Sequence, residues 1–320
     1  MAVKSMFDYV GGEDDRSTSI STNQPASPKK KLGVIPFHPS HHRIVRGDAR
    51  DLSFIPDESV HLVVTSPPYF DLKQYASESA DQLGDIHEYE YFLDQLDRVW
   101  QECCRVLVPG GRVCCVVGAV NIARRAGGRH YVLPLPSDIQ VRSRQCGLDN
   151  LTPIIWLKVS NIVLEASRSS RFLGKPNLPN GIVKNDFETI VMLRKPGGYR
   201  QPTPEMEAAS RIETDDYARY FAPIWSDVTG ASTKAHPAPF PLEVAHRLIR
   251  MFSFVGDTVL DPFLGSGTTT AGALRLGRNS IGVETEPSYI TLARKRLSSL
   301  PFGVSLTFED TCQPHGMSDN

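Results

Sequence analysis

Residues 258–284 place a strand, a glycine-rich turn, a helix and a second strand in immediate succession, and few architectures accept that order. In the stretch TVLDPFLGSGTTT the β-branched run ends at Asp261, and Thr268, Thr269 and Thr270 open the helix. Gly265 and Gly267 let backbone N–H groups approach a ligand closely, as in the nucleotide-binding turn of a doubly wound sheet. A phosphate loop of the form G-x-x-x-x-G-K-[ST] is excluded, because no lysine is present to meet the phosphates. Asp261 also opposes a pyrophosphate, yet it suits a ligand bearing ammonium and sulfonium charge, which points to S-adenosylmethionine. The next strand, SIGVE, ends at Glu284, where an acid accepts hydrogen bonds from ribose hydroxyls.

The rest of the chain keeps this rhythm of short apolar runs and amphipathic stretches, so the fold class is α/β, a largely parallel sheet with helices on both faces. Strands are expected at 43–46, 61–65, 113–117, 153–158, 188–194, 258–260 and 280–283. Helices are expected at 86–107, 134–147, 242–252, 268–276 and 287–297. Residues 1–40 mix Ser, Thr, Asp and Pro with the run Lys29-Lys30-Lys31, the composition of a mobile arm, and 301–320 read as a C-terminal tail whose last dozen or so residues fray. Two stretches, Ser160–Lys184 and Pro196–Thr233, break the pattern and read as insertions. The region 160–233 is therefore set apart, with a core strand inside it near 187–194, between a half at 41–159 and a half at 234–300.

The 320 residues, 40% hydrophobic, suffice for one large domain. Since 35 Lys and Arg face 36 Asp and Glu, a nucleic-acid surface has to be a local basic patch. Arg168, Arg171, Lys175, Lys184 and Arg200 supply the best cluster. The six cysteines fall as Cys103-Cys104, Cys114-Cys115, Cys146 and Cys312, which gives no C-x-x-C spacing. They read as reduced thiols, and no metal site is expected. With no apolar run near the roughly 18 residues of a membrane span, and a polar amino terminus, a cytoplasmic protein is expected.

A second loop carries chemistry. Thr65-Ser66-Pro67-Pro68-Tyr69 follows the apolar run 61–64, and its two prolines stiffen it and remove two N–H groups. The Ser66 hydroxyl and Pro67 carbonyl become fixed acceptors, and the Tyr69 ring follows at once, which together can hold a planar, amino-substituted base. Trp156 is either a further wall of that pocket or a buried strand residue.

On these two loops the chain resembles the β class of bacterial amino-group DNA methyltransferases of restriction-modification systems, whose catalytic loop reads [DNS]-P-P-[YFW] and whose cofactor loop reads D-P-F-x-G-S-G-T-T. The order here, catalytic loop first, is that of a circularly permuted Rossmann-like sheet with a target-recognition insertion. The resemblance implies Ser66, Pro67, Pro68 and Tyr69 as catalytic residues. It implies Asp261, Pro262, Phe263, Gly265, Ser266, Gly267, Thr268 and Glu284 as cofactor ligands. It also puts Asp48 near the adenine and the stretch containing His236 and Pro237 at the methionine end. Double-stranded DNA is the implied substrate, with a cognate restriction endonuclease and a homodimer as partner expectations. Within the family, serine in the catalytic loop goes mostly with cytosine N4 and aspartate with adenine N6, so cytosine N4 is expected and adenine N6 is the alternative. Attack at cytosine C5 needs a cysteine nucleophile, usually in a Pro-Cys dipeptide that this chain lacks. A catalytically silent DNA-binding subunit is the alternative of another class.

Overall fold

Strands covered by helices on both faces must be apolar along their whole length, and the central strands of this protein are. The computed structural model describes residues 38–70, 82–122, 128–158, 172–173, 179, 182–183, 185–230, 240–298 and 303–311. In chain order the first strands and helix are β1 (Ser40–Arg46), β2 (Val60–Thr65), α1 (Tyr89–Val106) and β3 (Leu107–Val117). A hairpin of β4 (Val120–Ile122) and β5 (Tyr131–Leu133) leads to α2 (Leu135–Ser143), β6 (Asp149–Asn150) and β7 (Ile154–Leu157). A second hairpin, β8 (Phe172–Leu173) with β9 (Ile182–Val183), precedes β10 (Phe187–Arg194), α3 (Pro204–Ser210), α4 (Thr214–Tyr220) and β11 (Ile224–Trp225). The last elements are α5 (Leu242–Phe252), β12 (Thr258–Asp261), α6 (Thr268–Arg275), β13 (Asn279–Glu284), α7 (Pro287–Arg296) and β14 (Val304–Asp310).

The main sheet runs β11-β7-β10-β3-β2-β12-β13-β1-β14, with β6 also paired to β10. From β3 to β14 every pairing is parallel, and β10 is antiparallel to both β3 and β7. Alternate residues feed two cores. Val63, Val113, Cys115, Val117, Val191, Leu193 and Leu260 pack with Phe92, Leu96, Val99 and Trp100 of α1 and with Leu135 and Ile139 of α2. Their neighbours Leu62, Val64, Cys114, Val116, Ile190, Met192 and Val259 pack with Val244, Leu248 and Ile249 of α5. At roughly 1.5–3 kcal/mol for each large side chain buried, these two layers outweigh any local strand propensity.

Connectivity then places the functional end. β2 crosses through α1 to β3 on one side, β12 crosses through α6 to β13 on the other, and β2 and β12 are neighbours. The strand order reverses between them, which opens a crevice at their carboxyl ends. The half that carries β12 comes late in sequence and closes on β1 through β13, the permuted order expected.

Two expectations are corrected. Residues 304–310 are not part of a tail: they form β14, parallel to β1, with Leu306 and Phe308 packed against the cluster of Ile44, Leu264, Ala293 and Leu297. Arg43 clasps Glu309 at 2.7 Å and Arg294 lies 3.7 Å from the Phe308 ring centre. The alternation of polar with apolar residues in this strand reflects an edge covered on one face. Pro196–Thr233 is likewise not wholly irregular, since it contains α3, α4 and β11. Thr203 caps α3 through the Met206 N–H, and Trp225 donates its indole N–H to Tyr220 O at 2.9 Å. Of the arm expected over residues 1–40, residues 1–37 lie outside the described residues, as does the end of the chain from 312, while Ser40 already belongs to β1.

Candidate active site

The glycine-rich turn is fastened on three sides. Gly265 and Gly267 have φ of 50° and 78°, in the left-handed region, and Gly267 directly precedes α6. Leu264 donates its N–H to Val283 O at 2.9 Å, and its side chain lies on Gly282, where an added Cβ would come within 2.4 Å of it. Glu284 accepts the Gly265 N–H at 2.8 Å and the Glu286 N–H at 3.0 Å. From α7, Arg296 donates to the hydroxyls of Ser266 and Thr268 at 3.1 and 2.8 Å.

Across the crevice, the catalytic loop is joined to this turn. Thr65, the last residue of β2, donates to Asp261 Oδ1 at 2.7 Å, and Thr269 of α6 donates to Val64 O at 3.0 Å. Asp261 also accepts the Phe263 N–H at 3.1 Å. Beyond the prolines, Phe70 is buried against Tyr89 and Phe92, with ring centres 5.1 and 5.5 Å away. The loop is therefore held at both ends before any ligand arrives.

Between the loops lies a cleft enclosing about 720 Å³ of empty space, mouth included. Ser66, Pro67 and Pro68 line one wall; Pro262, Phe263, Gly265 and Glu284 line another; Gly47, Asp48, Ala49 and Arg50 after β1 contribute a third. Leu83, Gly84, Thr285 and Tyr289 also face it, none of which the sequence motifs single out. Asp48 does not offer a bare carboxylate, because Arg50 donates to both of its oxygens from Nε and Nη2. Arg50 is fixed in turn by Gln95 at 2.8 Å.

Several expected site residues stand back from the cleft. Asp261 is 1% exposed and faces Thr65 rather than the cavity. Ser266, Gly267 and Thr268 shape the turn and do not line it. Tyr69 is buried, and its hydroxyl donates to Glu188 Oε1 at 2.9 Å. Trp156 is a core residue, 1% exposed, with its indole N–H on Val228 O at 2.9 Å, so the structural alternative holds. His236, Pro237, Arg168, Arg171, Lys175 and Lys184 lie outside the described residues. Arg200 is carried to the opposite end of the sheet: it pairs with Asp257, just before β12, and lies over the Phe254 ring. Among the described residues, no group of acids, histidines and cysteines is arranged to hold a metal ion.

Burial sets the site's electrostatics. It raises Asp261 to about 6, against the hydrogen bonds from Thr65, Thr269 and the Phe263 N–H that pull the other way. Burial likewise raises Glu284 to about 7, with the nearby Asp261 charge contributing and backbone N–H groups opposing. Two carboxylates deprived of water at one crevice fit a cationic ligand and repel a polyphosphate. Burial pushes the Cys114 thiol of β3 up to about 12, which disfavours its thiolate.

A Rossmann-like sheet, a glycine-rich turn with acids at the strand ends and a rigid Ser-Pro-Pro loop across a shared crevice define a nucleoside-cofactor transferase. The chain belongs to the N6_N4_Mtase family, described as DNA methylase, whose family model matches residues 60–295. It is 36% identical to the type II methyltransferase M.MjaI of Methanocaldococcus jannaschii over 84% of this chain and 95% of that protein. It is 34% identical to M.MthZI of Methanothermobacter thermautotrophicus over 80% of this chain and 76% of that one. A solved structure from Thermus thermophilus, described as a putative DNA modification methylase complexed with S-adenosyl-L-methionine, aligns with a TM-score of 0.70 and 49% identity, covering 85% of this chain and all of that one.

Proposed function

We propose that this DNA methyltransferase methylates the exocyclic N4 amine of cytosine in duplex DNA. One observation carries the reading: the loop that faces the cofactor turn across the cleft, held there by Thr65–Asp261, opens on Ser66 and not on an aspartate. S-adenosylmethionine, when bound, supplies an electrophilic methyl group. Glu284, Phe263 and Gly265 line the space that holds it, and the Asp48–Arg50 pair borders the same space.

An exocyclic amine is a poor nucleophile because its lone pair is delocalised into the ring. Ser66 Oγ and Pro67 O accept its two N–H bonds, which turns the lone pair toward the methyl group, and the Tyr69 ring, held behind this wall by Glu188, backs the loop that the base meets. The rate gain comes from positioning and from fixed dipoles in a dry site. The base has to leave the duplex to reach the loop, at a cost of a few kcal/mol. Recognition of the surrounding sequence falls to the first insertion, residues 160–184. The α3 end of the second is held at the amino ends of the strands, where Ser210 accepts the Val255 N–H and Arg250 donates to Arg211 O.

The test is direct. DNA from a host expressing the protein is digested to nucleosides and analysed by mass spectrometry, with sequencing of the modified positions. N4-methylcytosine at one sequence context is expected; N6-methyladenine in its place would assign the enzyme to adenine.

A further inference from the structure

Tyr69 is tied down on the side away from the cleft. Its phenol donates to Glu188, which stands on β10 and is itself 8% exposed. Glu188 also pairs with Lys158, which directly follows β7, the strand antiparallel to β10. The Lys158 backbone N–H bonds to Asp186 O at 3.1 Å, and its ammonium lies 5.7 Å from the centre of the Trp156 ring. Trp156 is locked by its own bond to Val228 O. The Lys158 ammonium and the Tyr69 phenol share the Glu188 carboxylate, and these two partners offset the cost of burying it.

We infer that Glu188, itself held by Lys158, is the positioning residue for Tyr69. Swinging the Tyr69 ring aside would take an acceptor from the phenol and a donor from a buried carboxylate, so the ring's place is set before a base arrives. The inference rests on the methyl-transfer reading for its consequence, whereas the tether itself does not.

The experiment uses the full chain and plasmid DNA from a methylation-deficient host, with tritiated methyl transfer followed in a single turnover. Tyr69→Phe and Glu188→Ala are each expected to slow transfer roughly tenfold, with cofactor affinity unchanged within about twofold. Glu188→Gln, which keeps an acceptor, loses less, and it serves if the alanine variant fails to fold. Because both changes remove one interaction, the Tyr69→Phe/Glu188→Ala protein is expected to be no slower than Tyr69→Phe. A double variant about a hundredfold slow, the product of the two effects, overturns the inference. So does a Glu188→Ala protein that transfers at the wild-type rate.

The tether is read separately, without DNA, by fluorine NMR of protein labelled with 3-fluorotyrosine. The resonance that disappears in Tyr69→Phe is expected to shift in Glu188→Gln, and an unmoved resonance overturns the tether. A shifted resonance in an enzyme that methylates no DNA supports the tether and overturns the methyl-transfer reading instead.

Discussion

At the scale of single residues, the site depends on short polar contacts between segments distant in sequence. Thr65 and Asp261 form a buried bond that joins the catalytic strand to the cofactor strand. Thr65→Val removes the donor and leaves the carboxylate short of a partner, which is expected to cost about 1–3 kcal/mol and to lower the melting temperature in calorimetry. Chemistry separates from stability at Ser66, which lines the cleft. Ser66→Ala is expected to slow methyl transfer on the order of a hundredfold. Tyr69→Ala is expected to abolish measurable turnover, and both variants should bind the cofactor as the wild type does in titration calorimetry. A Tyr69→Ala enzyme with full activity would sink the role given to the loop. The motif makes Tyr69 legible as functional, but Glu188 and Lys158 carry no such mark. Their relation to Tyr69 arises from strand pairing, and Glu188 is 119 residues away in sequence.

At the scale of elements, the cofactor turn works because β13 and α7 grip it. Gly282 leaves room for Leu264, and a side chain there meets Leu264 at 2.4 Å from its Cβ onward. Gly282→Val is expected to displace the turn and weaken cofactor binding by more than about tenfold, a loss exceeding its effect on the melting temperature. The strands of this region were legible because double-sided burial writes an unbroken apolar run. β14 was not: among the described residues it is an edge strand paired with β1, and its polar alternation is indistinguishable locally from a solvated tail. The short helices α3 and α4 escaped for a related reason, since they pack at the amino ends of the strands through a few contacts and show no long periodic face.

For the molecule as a whole, the acids buried at the crevice couple cofactor binding to pH. Glu284, raised to about 7 from an ordinary 4.5, keeps its proton in the free protein over the pH range between those values. A folded-state value above the unfolded one contributes stability below about pH 4.5, which is lost as pH rises through 7. A cationic ligand reverses the preference by favouring the ionised form, so binding near pH 6–7 is expected to release protons and to weaken as pH falls. Calorimetry in buffers of different ionisation enthalpy measures the release, and Glu284→Gln should flatten the pH dependence. Affinity independent of pH from about 5 to 8 would remove Glu284 from cofactor binding.

The sequence by itself determined the α/β class, the permuted order of the two loops and the kind of ligand each suits, because those depend on local chemistry: apolar period, glycine at left-handed turns, acids at strand ends and proline-stiffened acceptors. Which of those residues face the cleft follows from the long-range packing of the strands. It turned Asp261 and Tyr69 toward internal partners, neutralised Asp48 with Arg50, and sent Arg200 to the far end of the sheet. Orientation and burial are set by the neighbours a strand acquires through long-range pairing. A residue's type gives what it can do, and only that packing fixes what it faces.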